Sequence, residues 1–575
     1  MLQTERNGAT TQRPSPSEHP PEAVRDPGPS PHRTEGGASR LLATGTRLLI
    51  LIGSAAILSF NAGAAAPQGS TGTPGEHPYL EAHIKAAQRY TADHTQFQAL
   101  KGPFPDGDGP AVTKACLTCH NQAGQQVMGT KHWLWRVPDK KYEEYGKGGW
   151  LINNFCISIR GGNYPACTKC HAGYGWKDSS FDFTKTENED CLVCHDTTGD
   201  YMKDEAGLAN PAVPLADVAQ HVGRPGIANC GGCHFAGGGA DATKHGDLDE
   251  SLLNCKIDED VHLSKQGAGM DCVDCHTTEG HHIAGPDYLL PANMQETPEY
   301  PGQKLGHMSC ASCHGEAPHN SFVLNRHYRK VACQTCHIPE FARGGLATNM
   351  WWDWSTAGKT KDGRAYEVRD KDGDVTYATI HGSMVWKKNV VPTYRFWDGR
   401  MSFMLATDKL PAERPVWLNQ TIGSYNDPNS KIWPFKVHEG NQPYDTQLDK
   451  LVVPHLYGDK GSGALWVDHD WPSAIKTGME IAGLPYSGHY GFVRTNMIWP
   501  ITHMVAPAKE ALTCVNCHSE KSRLAGLKGF YLPGRDRSRG IDFLGWAAVL
   551  ITCVAVVAHG SGRIFFKARK KRGSK

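Results

Sequence analysis

Eight copies of the pattern Cys-x-x-Cys-His constrain this chain more than any other feature. They comprise Cys116, Cys119 and His120; Cys167, Cys170 and His171; Cys191, Cys194 and His195; and Cys230, Cys233 and His234. The second four comprise Cys272, Cys275 and His276; Cys310, Cys313 and His314; Cys333, Cys336 and His337; and Cys514, Cys517 and His518. With 19 Cys and 29 His in 575 residues, roughly 0.03 copies are expected by accident. Two thiols so spaced can each form a thioether to one vinyl group of a porphyrin, and the following His then lies under the iron as an axial ligand. Zinc sites need no His fixed after the second Cys, and disulfides need no His at all. The motifs therefore imply eight covalently bound haem c groups. Only Cys156, Cys255 and Cys553 remain outside them.

Seven motifs crowd into residues 116–337, with 18 residues between His314 and Cys333. Such spacings leave room for only a helix or loop between haems, so the cofactors themselves form the core. The predicted fold is mainly α with little regular secondary structure, a multihaem cytochrome c fold organised around eight haems, plus a terminal transmembrane helix. A net charge of +1 gives no basic field for nucleic acid.

Residues 1–66 read as a disordered leader and a signal sequence, with an apolar stretch from Leu48 to Phe60 and cleavage near Ala64 to Ala66; an uncleaved anchor is the alternative. Residues 67–337 form the seven-haem core. Residues 338–513 form an insert with ten of the fifteen Trp, packing on that core. Its "RDKDGDVTY" resembles half a calcium loop but lacks the downstream Glu, so a hairpin is expected, with a bound calcium ion as the alternative. Residues 514–535 carry the eighth haem and a linker. An apolar run from Phe543 to Ala558 lies within a span expected over 541–566, and residues 567–575 are a basic cytoplasmic tail. The expectation is a periplasmic domain anchored to the cytoplasmic membrane.

Each six-coordinate haem needs a second axial ligand. The candidates are His132, His221, His262, His281 or His282, His319, His327 and His503, which is seven for eight haems. The shortfall draws attention to "GGADATKHGDLDE", where Lys244 stands beside His245 and either can be a ligand. A lysine amine, of ordinary pKa about 10.4, must lose its proton to bind iron, which burial and a neighbouring metal cation favour.

Three stretches, "NNFCISIRGGNYPACTKCHAGYGW" (153–176), "NCGGCHFAGGGADATKHGDLD" (229–249) and "LNRHYRKVACQTCHIPEFARGG" (324–345), together with the order and spacing of the motifs, resemble the octahaem tetrathionate reductase family of multihaem cytochromes over about residues 75–530. The resemblance implies that the catalytic haem is bound at Cys167 and Cys170, that Lys244 is its working iron ligand, and that Asn153 and Cys156 lie at its open face. It implies a reductase that cleaves tetrathionate to thiosulfate at this haem, fed by bis-histidine haems. A quinol-linked membrane cytochrome or a small periplasmic cytochrome would be the electron donor. Reduction of nitrite or hydroxylamine, or a non-catalytic electron conduit, are the competing readings. A disulfide between Cys156 and Cys255 is the alternative fate of the thiol at 156.

Overall fold

A computed structural model of the chain describes residues 92–573 apart from 138, 139, 287, 294 and 296–307. The leader and signal expectations lie outside these residues. Among the described residues of the seven-motif segment, helices are short, the longest being Gly109–Leu117 with nine residues. Local caps define several of them: Asp108 accepts from the amide of Ala111 at 3.0 Å and Ser321 caps Phe322–His327. Their packing rests on small apolar clusters, such as Val112, Leu192, Leu215 and Val218.

The Trp-rich insert is built differently. Alternating strand-forming residues in "KIWPFKVHEGNQPYD" extend as one strand, Lys431–Asp445, that pairs antiparallel with Tyr490–Pro500 from Phe435 opposite Pro500 to Asp445 opposite Tyr490. The same strand pairs parallel with Thr348–Asp353 and antiparallel with Thr393–Trp397, so it is the spine of a nine-stranded sheet. The "RDKDGDVTY" turn joins Glu367–Arg369 to Val375–Ala378 at the edge of that sheet, and the Asp370 carboxylate accepts from the amides of Asp372 and Asp374 within the turn. A sheet of this size is the main departure from the helical expectation.

One face of the sheet carries Trp352, Met497 and Trp499 into a core with Ile152, Phe155, Val453 and the helix Trp471–Ala482. That helix buries Trp471, Ala474, Ile475, Gly478 and Met479, a stripe of helical period. Asp470 caps its start, and Gly483 in the left-handed region ends it. Because Ile152 and Phe155 flank Asn153 and Cys156, this core also fixes the loop that carries them.

At the C-terminal end, Arg539–Arg572 is a single helix capped by Ser538. Within Arg539–Lys570, the most apolar window has a mean hydropathy of 2.2 and none of it is buried against the protein. By length and composition this helix can cross a membrane.

Candidate active site at the second haem motif

Seven of the eight motifs share one local geometry. The amide of His120, His195, His276 and His518 donates to the carbonyl of the first Cys of its motif at 2.8–3.1 Å, while His234, His314 and His337 close the helices that contain their motifs. One helical turn thus sets the first Cys and the His on the same side.

Each of these seven rings faces one further histidine. The pairs are His94–His120, His132–His234, His195–His281, His262–His314, His276–His503, His319–His337 and His327–His518, with ring centres 6.0–6.4 Å apart. A metal–imidazole bond of about 2.0 Å plus about 1.1 Å to the ring centre on each side predicts about 6.2 Å for two rings on opposite faces of one iron. The residues therefore fit a haem at each pair. Nδ1 of His195, His276, His281, His319, His327, His503 and His518 is occupied by a carbonyl, amide or carboxylate oxygen at 2.8–3.2 Å, which leaves Nε2 to face the partner.

Two expectations change. His281, not His282, faces His195; His282 is exposed on a two-residue strand. His94, not His221, faces His120. The His221 side chain is 50% exposed and turns back to the carbonyl of Asp217 in its own helix. His94 lies 22 residues before the first motif in a single 3-10 turn, so no local sequence signal marked it.

The motif thiols also show which attachment sites are neighbours. Cys116 contacts Cys191, Cys170 contacts Cys233, Cys230 contacts Cys272, and Cys310 contacts Cys333. Cys194 and Cys230, Cys275 and Cys313, and Cys336 and Cys517 lie within electrostatic range. Taken in order of motif, the sites run 1–3–4–5–6–7–8, with the second branching from the fourth.

The second motif breaks the pattern. The helix Tyr164–Cys167 stops at the first Cys, held by the Thr168 hydroxyl donating to the carbonyls of Tyr164 and Trp176. The amide of His171 bonds Thr168, three residues back, rather than Cys167. Its ring is fully buried among Trp133, Trp135, Trp176, Phe181 and Phe183. Nε2, the nitrogen left for the partner in the paired rings, here contacts the carbonyl of Trp133 at 2.6 Å, and Nδ1 has no partner. Burial drives the ring's pKa down to about 3. No histidine ring faces His171 among the described residues.

Around the same motif, Cys156 lies within electrostatic range of Cys167, Cys170, Lys147 and Lys244. Its sulfur is 3.6 Å from where a side chain on Gly239 would begin, in the loop leading to Lys244. The Lys244 ammonium sits 4.3 Å over the ring of Trp499, whose indole nitrogen is buried without a partner. His245 packs edge-on against the same ring, its pKa pushed well down by burial and then by Lys244. Gly246 allows Phe341 to pack where a Cβ would lie 2.3 Å from the phenyl ring. Asp247 then accepts from Nδ1 of His503 at 3.1 Å. The Asn153 side-chain oxygen accepts from the amides of Phe155, Cys156 and Ile157 at 2.6–3.1 Å. Ile157 adopts φ 61°, an unusual conformation for a β-branched residue that is held by this cap and the surrounding core.

Lys147, not marked by any sequence pattern, acts electrostatically on Cys156, Cys167 and Cys170 and stacks on Trp135 at 4.0 Å. Cys156 and Cys255 pack in separate apolar clusters, which overturns the disulfide alternative.

Residues 349–521 match the family model "Cytochrome c bacterial". An uncharacterized protein of Archaeoglobus fulgidus is 31% identical over 198 residues, a match that covers 31% of this chain and 62% of that protein. The crystal structure of octaheme cytochrome c from Shewanella oneidensis is 41% identical, with a TM-score of 0.67, and the match covers 76% of this chain and 98% of that one. In keeping with its haem-attachment motifs and with the resemblance carried by its second-motif region, the chain belongs to the octahaem cytochrome c family.

Proposed function

We propose that this chain is a reductase of small oxidised sulfur anions, with tetrathionate as the substrate and the haem at Cys167 and Cys170 as the reaction centre. The carrying observation is His171, turned into an aromatic box at a motif that has both a lysine and a thiol beside it. When bound, a haem there would supply a redox-active iron able to take substrate, and the seven ring pairs would hold the haems that feed it electrons.

The chain's residues supply the rest. Lys244 would hold that iron in place of His171. Lys147 draws the dianion toward Cys156, and Asn153 holds the loop that presents it. Burial pushes the Cys156 thiol up to about 12, outweighing the nearby Lys147 and Lys244. In this reading the thiol lines the pocket and orients substrate. In the reaction the central S–S bond breaks, two electrons are taken up and two thiosulfates leave, with no proton consumed. The domain works in the periplasm, held to the cytoplasmic membrane by Arg539–Arg572 and supplied by a quinol-linked membrane cytochrome.

The test is turnover driven by a reduced viologen dye, scored as two thiosulfates per tetrathionate. Lys244→Met is expected to abolish it while altering the spectrum of one haem. Cys156→Ser is expected to keep turnover within about tenfold of wild type, whereas a covalent role would cost a factor of about 10³ or more, as for loss of a nucleophile. Turnover of hydroxylamine or nitrite without tetrathionate would replace this reading with nitrogen-oxide reduction.

A further inference from the structure

We propose that Lys436 and His438, on one face of the strand Lys431–Asp445, form a two-point clamp that fixes Lys244 and Cys156 relative to each other. This rests on the reading of Lys244 as an iron ligand.

Residues two apart in a strand project from the same face. Lys436 is fully buried and donates to the carbonyl of Thr243 at 2.7 Å and to the Thr348 hydroxyl at 2.6 Å. Thr348 passes the bond on to the carbonyl of Ala242 at 2.6 Å, and the amide of Asn349 reaches that same carbonyl at 3.3 Å. The backbone just ahead of Lys244 is therefore held at two successive carbonyls by a buried side-chain network. Burial lowers the Lys436 pKa well below the usual lysine value.

His438, also fully buried, holds the other loop. Its Nδ1 is 2.9 Å from Oδ1 of Asn154, whose amide nitrogen donates to the carbonyls of His438 and Thr495 at 3.0 and 3.3 Å. Asn154 lies between Asn153 and the loop to Cys156, and Phe155 packs edge-on against the His438 ring. Nε2 is 3.0 Å from the amide oxygen position of Asn349. Burial keeps the ring neutral, so it has one N–H and gives it to Asn154. The Asn349 amide then presents its nitrogen to Nε2, which also satisfies a buried Nδ2 that otherwise lacks a partner. Lys436 acts through the carbonyls of Thr243 and Ala242 and His438 through Asn154, so both are positioning residues.

Lys436→Met keeps the length and removes both donors. The expected result is a shifted midpoint potential and an altered ligand-field spectrum for one haem of eight. The other seven should be unchanged, and kcat should fall about tenfold to a hundredfold while KM stays within about twofold. Thr348→Val, a smaller lesion on the same carbonyls, should move the same single haem less. His438→Ala is expected to change the rate at which Cys156 is alkylated in the folded protein, and His438→Gln, which keeps a donor and an acceptor, to restore it. Lys244→Met is the control. If it leaves every haem unchanged, the ligand reading fails. If it shifts one haem while Lys436→Met and Thr348→Val shift none, the clamp is overturned and the ligand reading stands. Should Lys436→Met not accumulate as an eight-haem protein, Thr348→Val decides alone by the same spectrum.

Discussion

Glu189 is buried two residues ahead of the third motif, and its Oε1 has no hydrogen-bond partner. Burial pushes its carboxyl up to about 8, so the folded protein holds a proton there that the unfolded chain releases near its ordinary value of 4.5. The folded state binds the extra proton between those values, so this group's effect on stability is neutral below about pH 4.5 and grows unfavourable as pH rises toward 8. Glu189→Gln, which cannot ionise, is expected to melt at the wild-type temperature near pH 4 and above it at pH 8–9. Melting curves across that range check it; a constant offset at all pH values would mean the side chain acts through packing instead. The same scale shows what a single residue reveals in sequence. His171 carries the motif identity of the other seven histidines, and only its placement against the Trp133 carbonyl separates it from them.

At the scale of elements, the helix Trp471–Ala482 was open to reading: an Asp cap, a Pro in the first turn, an apolar stripe and a closing Gly. What sequence could not give is why Gly478 stands in its middle, where Gly costs about 1 kcal/mol relative to Ala in an exposed helix. Here a Cβ would lie 2.1 Å from the carbonyl of Val453 and 2.4 Å from the amide of His455. Gly478→Ala is therefore expected to destabilise by about 1–3 kcal/mol, the range for overpacking, despite the better helix propensity. Denaturant titration measures it, and a stabilised variant would contradict this contact. The central strand shows the same division: alternation in "KIWPFKVHEGNQPYD" is visible, but its polar Lys436 and His438 face inward because their partners are backbone and amide groups of distant loops.

Over the whole molecule, the exposed apolar residues of Arg539–Arg572, among them Phe543, Leu544, Trp546, Ile551 and Val557, have no protein surface to cover them. A lipid phase is the environment that accommodates such a helix. A chain ending at Ser538 is expected in the soluble fraction after a salt wash, with all haems retained, because Leu524, Leu527 and Leu532 of the linker pack on Tyr394 and Ile432 of the body. If that chain still sediments with membranes, the tether lies elsewhere. The ring pairs belong to this scale too. His276 meets His503 and His132 meets His234 across long stretches of chain.

The sequence by itself determined the haem attachment, the membrane-competent terminal helix and, through resemblance, the residues to watch at the second motif. Attachment is local chemistry, two thiols and an imidazole within five residues, so it is written in a short string. Tertiary structure decided which distal histidine faces which motif, where His94 entered and His221 and His282 did not. It also decided that His171 turns away and that Lys436 and His438 brace the loops around Lys244 and Cys156. Those choices depend on which groups meet across the fold and on which nitrogen of a ring is already occupied, and neither is a property of neighbouring residues in the chain.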